Sequence, residues 1–233
     1  MTRIEAGIAP QLNPFAPQAH LSGQAAQVES VGTQVQQVLF GRLKPPVLDP
    51  AQFPQLAEQL RLLQKYRKKF AVMAGDAEED YELLLADGGI AMIDADGKIY
   101  VGAQFLQRFG ETPAIALGVL AHEIGHRPKR WNEYRTRRQL TQAELQMLCR
   151  HEEIRADFFA GTALAEMSLP FEPLAELLVT LEDRPHPEYL PAADRARVIA
   201  EAHAGRAYRR KARRSLFPDF DRMTSPKGHL GEY

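Results

Sequence analysis

Residues 112–126, TPAIALGVLAHEIGH, decide how this chain is to be read. Thr112 is a helix-capping residue type and Pro113 suits the first helical position, so a helix opens there. It runs through Leu117, Leu120 and His122 to His126, where Pro128 makes further continuation costly. Residues 114–121 are strongly apolar, as expected of a helix seated in a core. Residues four apart share a helical face, so His122 and His126 can aim ring nitrogens at one metal ion. Glu123 stands one step round, close enough to reach a water on that ion without ligating it. Two ligands and a base thus have the spacing that metal-assisted hydrolysis requires.

Three fixed residues arise by accident in a chain of this length about three times in a hundred, so the surroundings must decide. Residues 153–161, EIRADFFAG, supply the second half of the argument. Thr141 and Glu144 form a capping-box pattern that opens a long helix reaching about Met167. On it Glu153 and Asp157 share a face, while Phe158, Phe159 and Leu164 provide packing. Glu153 would complete a two-His, one-Glu donor set with a fourth position left open, a set that favours zinc. Asp157 would stand behind it, holding one histidine by its other ring nitrogen. Glu152 is a rival ligand one residue away; Glu153 is preferred because it pairs with Asp157 at one helical turn. The helix rotates His151 away from Glu153, and it reads as a surface histidine.

Upstream, 81–85 and 89–93 read as short strands, Asp94-Ala95-Asp96-Gly97 as a turn, and 98–101 as a returning strand. Asp49 and Pro50 make a helix start, followed by Phe53, Leu56, Leu60, Leu63 and Phe70 on one face. The proline-rich stretch 43–50 reads as a linker. Before it, Val28, Val31, Val35 and Val38 recur at helical spacing. Downstream, Pro170 breaks the long helix, 172–181 is a further helix, and 191 to about 214 is the last. The predicted fold class is α+β, mostly helical with a small antiparallel or mixed sheet. The predicted organisation is an arm over 1–48, regulatory or disordered, a domain over 49–214 and a tail over 215–233.

A chain of 233 residues with 45% hydrophobic and 25% charged residues can bury a full core. The net charge of −1 gives no global attraction for nucleic acid or membrane. The single cysteine, Cys149, rules out an internal disulfide and a Cys-rich zinc site, and reads as a small buried residue. Residues 1–17 show no secretory signal and no stretch is long enough to span a bilayer, so the default location is the cytoplasm. Arg206, Arg209, Arg210, Lys211, Arg213 and Arg214 read as a solvated basic helix end, suited to the helix dipole. The basic connection 127–139 lies next to the second histidine, where it would favour acidic substrates; Trp131 and Tyr134 within it read as packing residues.

The pairing of His122-Glu123-Ile124-Gly125-His126 with Glu153-Ile154-Arg155-Ala156-Asp157 resembles the gluzincin signature of the HtpX-like and CAAX-prenyl-protease family. That family also carries a His-Pro pair followed by an arginine, matched here by His186-Pro187 and Arg195. The likeness spans roughly residues 80–205. It departs in a longer gap between His186 and Arg195 and in the absence of the family's membrane helices. The ImmA/IrrE-type peptidases join a similar helix to a glutamate helix and are the second resemblance. The likeness implies a zincin-like domain holding Zn²⁺ through His122, His126 and Glu153, with Glu123 activating the metal-bound water to hydrolyse a peptide bond. It also implies a supporting role for Arg195. His186 serves either as a donor to the developing oxyanion or as a turn residue ahead of its proline. The strand 98–101 or its neighbour is expected to offer an edge to extended substrate. The implied partner is a protein or peptide substrate. The competing expectations are a non-catalytic binding protein on the same scaffold and a regulatory peptidase of narrow specificity.

Overall fold

The computed structural model of the chain describes residues 31–40, 44–129, 140–181 and 189–205. Short β-branched and aromatic runs around the Asp94–Gly97 turn give β2 (Ala91–Ile93) and β3 (Lys98–Gly102), paired antiparallel with Met92 opposite Tyr100. Gly97 takes the left-handed conformation that closes the turn, at φ 83°. β1 (Glu82–Ala86) lies parallel to β3 on its other side, with Leu84 opposite Tyr100. The sheet is therefore mixed, in the order β1-β3-β2. Of the two strands expected to offer an edge, 98–101 is central and paired on both sides, whereas its neighbour β2 lies at the edge of the sheet among the described residues.

The stretch 43–50 is no free linker where it is described. Leu48 donates its N–H to the Leu85 carbonyl and Asp87 donates to Pro46, both at 2.9 Å, so the segment lies along the outer side of β1. Prolines suit such an edge because they have no N–H to leave unpaired. Asp49 does cap a turn, accepting from the Ala51 N–H at 3.0 Å. That turn is a short 3₁₀ piece, however, and the α-helix begins only after Pro54, as α2 (Ala57–Ala74). Leu56, Leu63 and Phe70 are buried as the pattern required.

α1 (Val31–Phe40) docks Val35 and Leu39 against Leu145, Leu148 and the buried Cys149 of α5 (Gln142–Glu166). α5 opens on the predicted capping box: Thr141 accepts from the Glu144 N–H at 3.3 Å, and Glu144 accepts from the Thr141 N–H at 2.8 Å. A short α3 (Ala103–Phe109), which the sequence pattern did not announce, follows β3 directly. α4 (Pro113–Gly125) starts where predicted, but the Thr112 side chain makes no capping bond; only its carbonyl joins the helix, accepting from Ile115 and Ala116. α6 (Glu172–Leu181) has the predicted bounds. α7 (Ala192–Ala204) stops at Gly205, short of the expected end near Arg214.

The fold is mostly helical with a small mixed sheet, an α+β arrangement of seven helices among the described residues. α4 runs through the main core, with α2, α5, α6 and the sheet packed on it. α5 in turn lies between α4 and α7. Among the described residues no helix is long and apolar enough to cross a membrane. The tail and the start of the arm lie outside the described residues, as do the basic residues from 206 onward.

Candidate metal centre

Helix periodicity places His122 on the last turn of α4 and His126 at its C-terminal cap. Their Nε2 atoms approach to 3.2 Å. Glu153 reaches across from α5, with one oxygen 3.5 Å from His122 Nε2 and the other 3.6 Å from His126 Nε2. Donors about 2.0–2.1 Å from a tetrahedral ion stand roughly 3.3 Å apart, so these separations are compatible with one shared metal ion. The three residues form a cluster whose ligand atoms all lie within 4.8 Å of one another. The residues present therefore fit the ion that the sequence implied.

Behind these donors the geometry is equally specific. Asp157, one turn beyond Glu153, stands 2.9 Å from His122 Nδ1 and fixes that ring with Nε2 facing Glu153. Arg195 of α7 donates to both Asp157 oxygens, at 2.7 and 2.9 Å, and lies 3.0 Å from Glu153. One guanidinium thus ties the ligand to the group that orients its neighbour. The Tyr189 ring covers Arg195 at 5.5 Å, and its hydroxyl donates to the Leu39 carbonyl of α1 at 3.2 Å.

The electrostatics of the metal-free pocket follow from burial and pairing. Burial pushes Asp157 up, but the Arg195 charge and the His122 hydrogen bond outweigh it and hold the carboxyl far below its usual range. Glu153 is likewise lowered, burial being overcome by Arg195 and His122. Burial opposes a charged His122, yet hydrogen bonds to Asp157 and Glu153 raise it to about 10. Burial lowers His126 to about 3, which leaves the ring neutral. A divalent ion would take the place of the His122 proton, since metal binding displaces protons from its ligands.

Glu123 differs from all of these. It is 5% exposed, and its Oε2 meets no hydrogen-bond donor among the described residues. Burial raises it to about 7, with Glu153 adding to the shift and His122 opposing it. With His122 it borders a cavity of about 350 Å³.

The helices are held in this relation by contacts that sequence reasoning did not assign. Gly125 lets α5 approach so closely that an added Cβ would stand 2.8 Å from the Ala156 Cα. Arg155 donates to the His126 carbonyl and pairs with Glu152, clamping the end of α4. The signal for both lay in the motifs themselves: a glycine between two ligands, and an arginine between Glu153 and Asp157.

Glu152 is fully buried in that clamp and lies outside the cluster of His122, His126 and Glu153. His151 is half-buried on α5, which corrects its reading as a surface residue, and it too stands outside the cluster. Arg127 is bound to Asp76 at 2.9 and 2.5 Å, and Lys129 pairs with Asp80. These two cations of the basic connection are thus committed away from the cavity. His186 lies outside the described residues, as do Trp131 and Tyr134. Comparisons with protein-family models, with curated proteins and with solved structures find no match.

Proposed function

We propose that this chain is a zinc-dependent endopeptidase with a zincin-type catalytic domain of the gluzincin kind. The observation that carries the reading is one juxtaposition: three converging donors at tetrahedral spacing beside a buried carboxylate with an unfilled oxygen. Zinc bound there supplies a Lewis acid that polarises a carbonyl and acidifies water. Glu123, whose Oε2 meets no hydrogen-bond donor among the described residues, takes the proton from the attacking water. His122, His126 and Glu153 hold the ion, and Asp157 with Arg195 keeps the first and last of these in place.

β2 is the natural rail for a substrate. Its neighbours Ile90 and Asp94 direct backbone bonds at β3, through Gly102 N–H to the Ile90 carbonyl and Asp94 N–H to the Lys98 carbonyl. By antiparallel alternation Ala91 turns its backbone groups the other way, while the outward N–H of Ile93 is taken by the Glu123 carboxylate. An extended peptide pairs there by strand addition, within reach of Glu123.

The test is zinc content and peptide hydrolysis on wild type and Glu123→Gln, using a protein-digest mixture read by mass spectrometry. The expected result is about one zinc per chain in both proteins, with hydrolysis lowered about 10²–10⁴-fold in the variant. Failure to take up zinc sinks the proposal. Zinc without hydrolysis in the wild type points to the binding-scaffold alternative or to a peptidase restricted to one partner.

A further inference from the structure

We infer that α1 is a clasp on the metal centre, and that Tyr189 is the positioning residue through which its docking tightens the site. The inference rests on the metal-binding part of the peptidase reading and adds a means of regulating it. Among the described residues α1 packs on α5 and on no other element to a comparable extent. Val35 and Leu39 are its buried anchors, and with Leu145, Leu148 and Cys149 they form a cluster separate from the main core. A helix held by one small apolar cluster opens locally at lower cost than the core opens globally. Among the described residues none that lines the cavity belongs to α1, so the docked helix does not plug it.

One line of contacts joins this helix to the donors. In the last turn of α1 the Leu39 carbonyl accepts from the Tyr189 hydroxyl at 3.2 Å. That bond spans 150 residues of sequence, so it forms only when α1 is docked. The Tyr189 ring in turn covers the Arg195 guanidinium, whose carbon lies 5.5 Å from the ring centre. Arg195 donates to both oxygens of Asp157 and stands 3.0 Å from Glu153. Such a two-pronged pairing holds only while the guanidinium keeps its plane, and an aromatic face across it restricts that plane. Docking therefore fixes Tyr189, Tyr189 fixes Arg195, and Arg195 fixes Glu153 and Asp157. The coupling is reciprocal by thermodynamic necessity: a cation that needs this arrangement also holds α1 down.

Cys149 supplies a reporter already built into the chain. It is the single cysteine and is fully buried in the cluster that α1 makes with α5. A thiol reagent reaches it when that cluster opens, so its labelling rate measures how often α1 lifts.

The experiment measures zinc affinity by chelator competition on full-length wild type, Val35→Asp, Tyr189→Phe and the double variant. Val35→Asp unseats α1 and should weaken zinc binding about three- to tenfold, the scale of one hydrogen bond. Tyr189→Phe keeps the ring, loses the hydroxyl and should weaken binding by a similar factor. In that background Val35→Asp should add nothing further. Saturating zinc should slow Cys149 labelling by the same factor in wild type and leave it unchanged in Tyr189→Phe. Leu39→Ala takes the place of Val35→Asp if that variant does not fold. A helix that only adds stability would lower the urea midpoint in both backgrounds and leave zinc affinity unmoved, which overturns the clasp. Additive losses in the double variant overturn it as well, because they show two separate routes. Zinc uptake without hydrolysis counts against the peptidase reading alone, since none of these readouts needs turnover. If wild type takes up no zinc, the metal reading fails and the clasp is judged on metal-free protein by the Arg195 Nε–H signal in proton–nitrogen NMR. A signal that Val35→Asp moves in wild type and not in Tyr189→Phe sustains the clasp, and one that it leaves in place overturns it.

Discussion

Asp94 and Glu123 are both nearly sealed from solvent, at 1% and 5% exposure, yet their oxygens meet different surroundings. Asp94 Oδ1 accepts from the backbone N–H groups of Asp96 and Lys98, each at 3.0 Å. Its Oδ2 accepts from Lys44 at 2.5 Å and from the Tyr100 hydroxyl at 3.2 Å. Every direction from which a proton could be offered is filled, and the β2–β3 turn is pinned as a result. Glu123 keeps one oxygen without a donor, in a pocket where three further donor atoms converge on a single point. A buried carboxylate that only builds structure is saturated, because an unpaired buried group costs stability. One that is left short marks a place where the fold accepts that cost for the sake of a ligand or a reaction.

The contrast breaks most visibly if the donors are not donors. His126→Ala should take zinc content from about one per chain to none, by mass spectrometry after dialysis. Retention of zinc would show that the convergence is incidental. Asp94→Ala should give the opposite pattern, with zinc content unchanged and unfolding free energy in urea lowered by about 2–3 kcal/mol as two backbone donors lose their acceptor. Lys44 adds little to that loss because its side chain is 48% exposed.

That second effect carries a pH signature. Burial pushes Asp94 up, but the Lys44 hydrogen bond and the Lys98 and Asp96 N–H groups outweigh it and hold the carboxyl below its usual value. A depressed folded value means stability that is present above the unfolded value of about 3.9 and lost as pH falls through the folded one. The wild-type advantage over Asp94→Ala should therefore stay level from about pH 5 to 7 and shrink below about pH 4. An advantage that grew on acidification would reverse the assignment.

Smaller effects sharpen the comparison further. Asp157→Asn should weaken zinc binding about 10–100-fold in competition with a coloured chelator, because His122 loses the carboxylate that orients it. Equal affinity would reduce Asp157 to a packing group. Smallest of all, Glu123→Gln should raise the stability of the metal-free protein by about 1 kcal/mol above pH 7, since a strained buried charge is removed. A loss of similar size would mean that Oε2 is satisfied after all.

What the sequence disclosed and what it withheld follow one physical line. His122 with His126, and Glu153 with Asp157, were legible because helical periodicity alone sets which side chains share a face. The capping box at Thr141 and the bounds of α6 were legible for the same reason, being decided within a few residues. Arg195 entered through a resemblance, since nothing local announces that α7 will lie on α5. The centrality of β3 was hidden because parallel pairing with β1 is a long-range choice that no turn dictates. The cavity was hidden too, as α3, α4 and α6 each contribute an ordinary apolar face whose meaning appears only on assembly.

Gly125 has a further consequence. Both histidines ride on one helix, so their spacing is set by the helix itself and scarcely varies. Glu153 rides on α5, and its distance from them depends on how near that helix can come. The missing side chain at Gly125, against the Ala156 backbone, is the stop that sets this distance. A methyl group there would open the jaws of the site along a single axis, drawing the carboxylate away while the two rings stayed in step. The glycine between the histidines is in effect a gauge for the radius of the cation proposed for the site.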